Sequence, residues 1–173
     1  MRSVANYDAC VLFPAPLRDL LIRIASAGIV RAHWTEQILE ECFRAILRQC
    51  TDLDANALVR TRSLLTQALP DCIVTGYQHH ISSLNLPDEN DRNVLVAAIE
   101  SKASIIVTTN LRDFPAAILN KYSITALHPD GFVSKLIEEH PEVISTIVVE
   151  QASALRKPSI TTEQLLNNLT QSG

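Results

Sequence analysis

Short apolar segments alternate with amphipathic helical segments along this chain of 173 residues, and this alternation constrains its fold most strongly. Residues 104–108 (SIIVT) are the clearest strand candidate, because the run is short, β-branched and bounded by turn-forming residues. Weaker strand candidates are residues 3–7, 71–75 and 124–127. Helical periodicity and capping residues predict helices at 17–27, 36–49, 55–68, 91–102, 132–139, 141–156 and 161–169. Strands interleaved with helices imply an α/β fold whose parallel sheet is covered by helices on both faces.

The composition is that of a domain of ordinary size, with enough apolar residues (47%) to bury a core. No apolar run reaches the ~18 residues of a membrane span, and the first ten residues lack the apolar stretch of a secretory signal. The four cysteines form no C-x-x-C pair, so we expect reduced, mostly buried thiols. These features predict a cytoplasmic protein that does not associate with membranes.

The net charge of −4 argues against a protein that coats nucleic acid generally. However, residues 1–62 hold eight arginines, no lysine and seven acidic residues, whereas the rest of the chain is acidic. These arginines could form a phosphate-binding rim. The candidates are Arg18, Arg23, Arg31, Arg44, Arg48, Arg60 and Arg62. The alternative is ion pairing on helix surfaces, such as Glu40 with Arg44.

Asp8 and Asp113 each follow a predicted strand, and ligands of parallel α/β sheets bind beyond the carboxyl ends of the strands. Asp8 is hard to explain structurally, because an acid among apolar neighbours costs stability unless it is paired. In the helix 36–49, successive residues turn by about 100°. This places Glu41 at the rim of the apolar face, whereas Glu40 points away. The alternative for Glu41 is an exposed ion pair.

Asp88 and Asp91 lie at the start of another predicted helix. If Asp88 is the N-cap, Asp91 is the third helical residue, and both charges favour the helix N-terminus. Asp91 nevertheless shares a helical face with Val94, Leu95 and Ala98, so it points toward the core, where a charge needs a partner. We therefore predict a site role for Asp91, and mainly a capping role for Asp88.

A polar cluster of Thr108, Asn110 and Asp113 follows the strand 104–108. Thr108 could hydrogen-bond a neighbouring carboxylate, and Asn110 could orient a water or bind a metal ion. The alternative is a simple capping turn before a helix at Pro115. A fold that gathers Asp8, Glu41, Asp91 and Asp113 needs a cation, and oxygen ligands suit Mg²⁺ or Mn²⁺. We therefore hypothesise metal-assisted cleavage of phosphodiester bonds.

Four segments together resemble the PIN-domain nucleases, particularly the VapC-type toxins of bacterial toxin–antitoxin pairs. They are DACVL (8–12), WTEQILEE (34–41), LPDENDRNVLVAA (86–98) and IVTTNLRDF (106–114). Each segment alone is weakly specific, but the four in this order and spacing are fairly specific. The resemblance covers about residues 3–130. It departs from the family's pattern in a less apolar first strand and in a longer C-terminal extension.

The resemblance implies a three-layer α/β/α sandwich over residues 1–131, the PIN-like nuclease domain, with a helical C-terminal extension over 132–173. It implies an acidic pocket for Mg²⁺ or Mn²⁺, endoribonuclease activity, homodimerisation and inhibition by a cognate antitoxin protein. Asp8, Asp91 and Asp113 then match the metal-binding acids, and Glu41 completes the catalytic acids. The implied supporting residues are Thr108, Asn110 and Asp88, and the expected RNA contacts are Arg44 and Arg48.

Other classes of protein fit less well. A receiver domain would need an acidic pair after its first strand and a lysine that ends a late strand, but Asp8 is single. A haloacid-type phosphatase would need a second aspartate where this chain has Cys10. A PIN protein that binds a protein or nucleic-acid partner without cleavage remains an alternative. The helices of the extension could pack on their own domain or bind a partner.

Overall fold

The computed structural model describes residues 2–155 and 161–172. Within these residues the strands are β1 (Ser3–Tyr7), β2 (Val30–His33), β3 (Ile105–Val107) and β4 (Thr125–Leu127). The helices are α1 (Ala9–Leu12), α2 (Ala15–Ser26), α3 (Glu36–Gln49), α4 (Ala55–Ala68), α5 (Glu89–Glu100), α6 (Ala116–Leu119), α7 (Pro129–Glu139), α8 (Pro141–Ala154) and α9 (Thr162–Ser172). Short 3₁₀ turns occur at Gln78–Ser83, Leu111–Asp113 and Asn120–Tyr122.

The strands form a parallel sheet in the order β2-β1-β3-β4. Ala5 at the middle of β1 pairs with Ala32 of β2 on one side and with Ile105 of β3 on the other. Because β1 and β3 are the central strands, their carboxyl ends lie side by side at one edge of the sheet. This arrangement brings together chain segments that are about a hundred residues apart in the sequence.

Helices cover both faces of this sheet. On one face Tyr7 of β1 packs edge-on against Phe132 of α7, with ring centroids 6.2 Å apart. On the other face the side chain of Asn6 donates a hydrogen bond to the Val94 carbonyl of α5 at 3.2 Å. The predicted α/β sandwich with a central parallel sheet is therefore confirmed.

Two of the helices that the sequence predicts, α3 and α4, begin at capping side chains. The Thr35 hydroxyl accepts a hydrogen bond from the Ile38 N–H at 3.1 Å and begins α3. The Asp54 carboxylate accepts from the Asn56 N–H at 2.9 Å and begins α4. Both helices have their predicted bounds, because the signals that start them are local in sequence.

The strand predicted at residues 71–75 is wrong. Only Ile73 forms a bridge, to Trp34, and two backbone hydrogen bonds hold it there. They run from the Trp34 N–H to the Cys72 carbonyl at 2.9 Å and from the Val74 N–H to the Trp34 carbonyl at 2.8 Å. Gly76, with a φ of +79°, turns the chain directly afterwards, so the segment is too short to form a ladder.

Two short elements occur where the sequence predicted none. The strand β2 follows Gly28, whose φ of +78° ends the α2 segment, and alternates buried with exposed residues over four positions. The helix α1 is also four residues long, and Asp8 is its N-cap. Elements of this length carry little periodicity, and β2 is stabilised by its pairing with β1 rather than by local sequence.

The C-terminal helices α8 and α9 contact α2. The side chain of Gln151 in α8 is buried and donates to the Pro16 carbonyl at 2.9 Å, and Leu165 of α9 is fully buried. The last residue of the helix predicted at 141–156, Arg156, lies outside the described residues, and the domain boundary after residue 131 stays a prediction. Across the ranges described, no helix is long and apolar enough to cross a lipid bilayer.

The four cysteines are free thiols, as the sequence predicted. Cys42 and Cys72 are buried and Cys10 is half-buried. Cys50, which follows the last residue of α3, is exposed, so the expectation of burial is wrong for this residue.

Candidate active site

The carboxyl ends of β1 and β3 bring Asp8 and Thr108 into contact. Asp8 directly follows β1, and its backbone N–H donates to the Val107 carbonyl of β3 at 3.1 Å. The Thr108 hydroxyl then donates to Oδ2 of Asp8 at 2.8 Å, which confirms the predicted hydrogen bond from Thr108 to a neighbouring carboxylate. Both residues are buried, with exposures of 8% for Asp8 and 0% for Thr108. The sheet geometry, rather than any local motif, creates this pair.

Two further contacts fix the orientation of the Asp8 carboxylate. The Ala9 N–H donates to Oδ1 at 2.7 Å, so Asp8 is also the N-cap of α1. The Cys10 thiol donates to Oδ2 at 3.4 Å and accepts from the Thr109 N–H at 3.3 Å. Burial foremost, and then the charge of Asp8, raises the pKa of Cys10, which keeps the thiol protonated as a donor. The sequence did not indicate this role of Cys10; its only signal is a position two residues after Asp8.

Asp91 lies on the first turn of α5, close to the other acidic residues. Burial is the main cause that raises its pKa to about 6. Four neighbouring carboxylates raise the pKa further, in the order Asp113, Asp88, Asp8 and Glu41. All the predicted acids therefore lie within electrostatic range of Asp91, and their negative charges disfavour its ionised form.

Asp88 is the N-cap of α5, as the sequence predicted. Its Oδ1 accepts a hydrogen bond from the Asn90 N–H at 2.7 Å, and its side chain is exposed. The charge of Asp88 still acts on the site, because it raises the pKa of both Asp91 and Glu41. Asp88 is therefore both the N-cap of α5 and a negative charge that acts on Asp91 and Glu41.

Glu41 is half-buried on α3 and Glu40 is exposed, so the predicted orientation of these two glutamates is confirmed. Burial foremost, followed by the charges of Asp8 and Asp88, raises the pKa of Glu41. Arg44 and Arg48 on the same helix act in the opposite direction and lower it. Glu41 and Asp113 line different cavities next to the acidic residues.

Asp113 is exposed and ends the 3₁₀ turn Leu111–Asp113. Asn110 begins this turn, and its backbone N–H donates to the Thr108 hydroxyl at 3.0 Å. Among the neighbouring carboxylates, Asp113 contributes most to the raised pKa of Asp91. Thr108, Asn110 and Asp113 therefore belong to one polar segment that directly follows β3.

A cavity of about 390 Å³ lies at this side of the site. Its walls include Asp88, Asp91 and Asp113 together with Arg112. The sequence analysis did not select Arg112, although its position directly before Asp113 is the signal that could have found it. The cavity therefore adjoins three of the predicted carboxylates.

The broad arginine rim is wrong for three of its seven members, which have other partners. Arg18 donates to the Leu12 and Phe13 carbonyls at 2.7 and 3.1 Å. Arg23 pairs with Asp19. Arg62 forms an ion pair with Glu36 and lies over the Phe43 ring, 5.5 Å from its centroid. By contrast, Arg44 and Arg48 have no ion-pair partner in the described part of the chain and act on Glu41.

The donor set fits a hard divalent cation, because it offers several carboxylate oxygens and a protein environment that disfavours their combined negative charge. Within residues 2–155 and 161–172, there is no group of three or more histidine, cysteine, aspartate or glutamate side chains that could hold a metal ion as they stand. Mg²⁺ usually keeps several waters and uses only one or two carboxylates, so this arrangement is compatible with the ion.

Comparison with known proteins places the chain in a family. Residues 7–112 match the sequence model of the PIN domain. The chain belongs to the PIN-domain family. Asp8, Glu41 and Asp91 lie inside the matched segment of the PIN domain, and Asp113 is the first residue after it. Residues 129–173 match the VapC50 C-terminal domain, so the recognition of a VapC-type PIN protein is confirmed.

A relative in Mycobacterium tuberculosis carries the name "Putative ribonuclease VapC50". This PIN-domain chain is 37% identical to it over 94 residues, which are 54% of this chain and 55% of the relative. The alignment thus spans about half the length of each protein. No solved protein structure matches the chain significantly.

Proposed function

We propose that this PIN domain is a metal-dependent endoribonuclease. The observation that carries the proposal is the convergence of five carboxylates from four chain segments at the edge of the sheet, where burial and mutual repulsion raise the pKa of Asp91 to about 6. Repulsion among carboxylates destabilises a fold unless a cation offsets it, so this arrangement suits a site that binds a cation. The ribonuclease in the name of the M. tuberculosis relative supports the same reaction.

In this proposal Asp8, Asp91 and Asp113 hold Mg²⁺ or Mn²⁺, directly or through water. When bound, the ion lowers the pKa of a water and offsets charge on the phosphate. The protein supplies the orientation: Thr108 and Cys10 donate to Oδ2 of Asp8 and fix one ligand. Asn110 supports the turn that carries Asp113.

Glu41 orients the attacking water and accepts its proton. Its raised pKa makes its carboxylate a stronger base than an exposed glutamate, which suits this role. Arg44 and Arg48 on the same helix contact the RNA, and Arg112 lines the cavity beside Asp91 and Asp113. The phosphorus–oxygen bond of the RNA breaks as the water oxygen bonds to phosphorus, and the departing oxygen must gain a proton.

The direct test is cleavage of a labelled single-stranded RNA by wild-type protein and by Asp8→Asn. The asparagine can still cap α1, because its Oδ1 can accept from the Ala9 N–H, but it removes the charge. The matched control is Asp54→Asn, which makes the same change at the N-cap of α4. We expect cleavage to be lost only in Asp8→Asn; cleavage at the wild-type rate would show that the site is misassigned.

We further propose that the protein is the toxin of a type II toxin–antitoxin pair, acts as a homodimer and is inhibited by a cognate antitoxin protein. The matches to PIN and VapC50 C-terminal sequences support this role. Induced expression of the chain should arrest growth, and Asp8→Asn should not. Co-expression of the product of an adjacent small reading frame should restore growth. Wild-type expression without any effect on growth would contradict the toxin role while leaving the nuclease open to the cleavage assay.

A further inference from the structure

A second cavity, of about 400 Å³, shares Glu41 with the carboxylate cluster. It is formed by α3, the first turn of α5 and the segment before the Gln78–Ser83 turn. All its lining residues are polar: Glu36, Gln37, Glu40, Glu41, Arg44, Tyr77 and Asn90. Because Glu41 belongs both to this wall and to the acidic cluster, a group in the cavity would lie next to the reacting phosphate.

Most polar groups around this cavity have no partner in the protein. The exception is Glu36, which lines the cavity but forms an ion pair with Arg62. Among residues 2–155 and 161–172, the side chains of Gln37, Glu40 and Arg44 form no hydrogen bond or ion pair. All three side chains are exposed on α3, so they are free to bond a polar ligand that enters the cavity.

Tyr77 adds a further polar group to this cavity. The residue is only 5% exposed and lines the cavity, and its hydroxyl has no hydrogen-bond partner in the described ranges. The hydroxyl oxygen is not among the buried polar atoms that lack a partner, so it remains accessible to a ligand. A ligand in the cavity can supply the missing bond.

We propose that this cavity binds a guanine base of the RNA, next to the phosphate that is cleaved. The inference rests on the proposed nuclease function and specifies its substrate. Sequence-specific recognition of RNA acts on unpaired bases, through hydrogen bonds to their edges. A volume of about 400 Å³ lies within the range of small-ligand pockets and leaves room for water around a base.

Guanine fits the two charged side chains better than the other RNA bases. The Glu40 carboxylate only accepts, and guanine offers it two adjacent donors, N1–H and the N2 amino group. The Arg44 guanidinium only donates, and guanine offers it two adjacent acceptors, O6 and N7. Adenine, cytosine and uracil lack one or both of these pairs. The amides of Gln37 and Asn90 and the Tyr77 hydroxyl can each donate or accept, so they do not oppose this choice.

The test uses single-stranded RNAs that contain one guanosine, or in its place inosine or 7-deazaguanosine. Inosine lacks the N2 amino group that Glu40 would bind, and 7-deazaguanosine lacks the N7 that Arg44 would bind. The proteins are the wild type, Glu40→Gln and Arg44→Met. Glu138→Gln is the matched control, because this glutamate is exposed on α7, away from the site.

The wild type should cut next to guanosine and lose about tenfold in kcat/KM with inosine, within the range expected for one bidentate contact to a base. Glu40→Gln should cut guanosine and inosine RNAs at equal rates, and Arg44→Met, which has no donor for N7, should lose its sensitivity to 7-deazaguanosine. Glu138→Gln should behave as the wild type does.

Cleavage by the wild type without preference for guanosine would overturn the inference while leaving the nuclease intact. So would a Glu40→Gln protein that is correctly folded by circular dichroism and remains as sensitive to inosine as the wild type. The absence of cleavage of any RNA would overturn the nuclease itself, and with it this inference.

Discussion

Replacement of Asp91 by asparagine should stabilise the metal-free protein at neutral pH, although it should abolish RNA cleavage. Burial and four neighbouring carboxylates raise the pKa of Asp91 to about 6, from an ordinary value of 3.8. Between these values the folded state binds more protons than the unfolded state. The free energy of unfolding therefore falls as the pH rises from about 4 to about 6, and this loss is complete above that range.

The size of the effect follows from the pKa shift. A rise of about two pKa units corresponds to about 3 kcal/mol at most. Asp91 is only partly buried, so solvent screening reduces the expected gain to about 1–2 kcal/mol. In a chain of this length that gain corresponds to about 2–8 °C in Tm. The Asp91 side chain makes no hydrogen bond within the described residues, so the asparagine loses none.

The assay is chemical denaturation in EDTA at a series of pH values, with wild type, Asp91→Asn and Glu89→Gln. Glu89 is an exposed acid on the same helical turn, and its neutralisation should not stabilise the protein. The stability gap of Asp91→Asn should be absent below about pH 4 and complete above about pH 6. Equal stability at pH 7, or a gap of the same size at both ends of the pH range, would refute the reasoning. Added Mg²⁺ should stabilise the wild type more than the variant.

Three further predictions concern residues that support the site and the fold. Thr108→Val should reduce cleavage about tenfold to a hundredfold, because it removes the hydrogen bond from the Thr108 hydroxyl to the Asp8 carboxylate. Thr108→Ser keeps this hydroxyl and should retain most activity. Equal rates for the two variants would show that the bond does not position Asp8. Cys10→Ala should weaken cleavage and raise the Mg²⁺ concentration needed for half-maximal rate, and Cys10→Ser, which keeps a donor, should restore both. Leu165→Ala should lower the free energy of unfolding by about 2–5 kcal/mol, since this side chain is fully buried. Leu166→Ala, at a side chain that is 48% exposed, should change it little, and similar losses in urea denaturation would contradict the packing of α9.

Much of the fold follows from local signals in the sequence. Thr35, Asp54 and Asp88 each cap a helix, and these helices begin within a residue or two of their predicted starts. The strand β3 has the β-branched residues of a central strand that is buried on both faces. Such features depend on neighbours in the sequence, and the sequence therefore predicts them well.

The elements that the sequence did not predict depend on distant partners. The strand β2 is four residues long and forms through its pairing with β1, whereas residues 71–75 have β-branched composition but gain only one bridge. The proximity of Asp8 to the polar segment after β3 was predictable because parallel strands end at a common edge, whereas Glu41 and Asp91 were selected by helical periodicity. The contacts of Cys10 were not predictable, since they depend on how the segments at that edge pack in three dimensions.

The most direct test of the account is cleavage of a labelled single-stranded RNA by purified protein, with Mg²⁺, with Mn²⁺ and with EDTA, beside Asp91→Asn. The account predicts cutting that requires the divalent ion and disappears in the variant, while the variant remains folded and gains stability. Cutting that persists in EDTA, or that survives in Asp91→Asn, would contradict the assignment of the carboxylate cluster as the metal-binding active site. The lack of cutting by the wild type with either ion, across RNAs of varied sequence, would favour a PIN protein that binds its partner without cleavage.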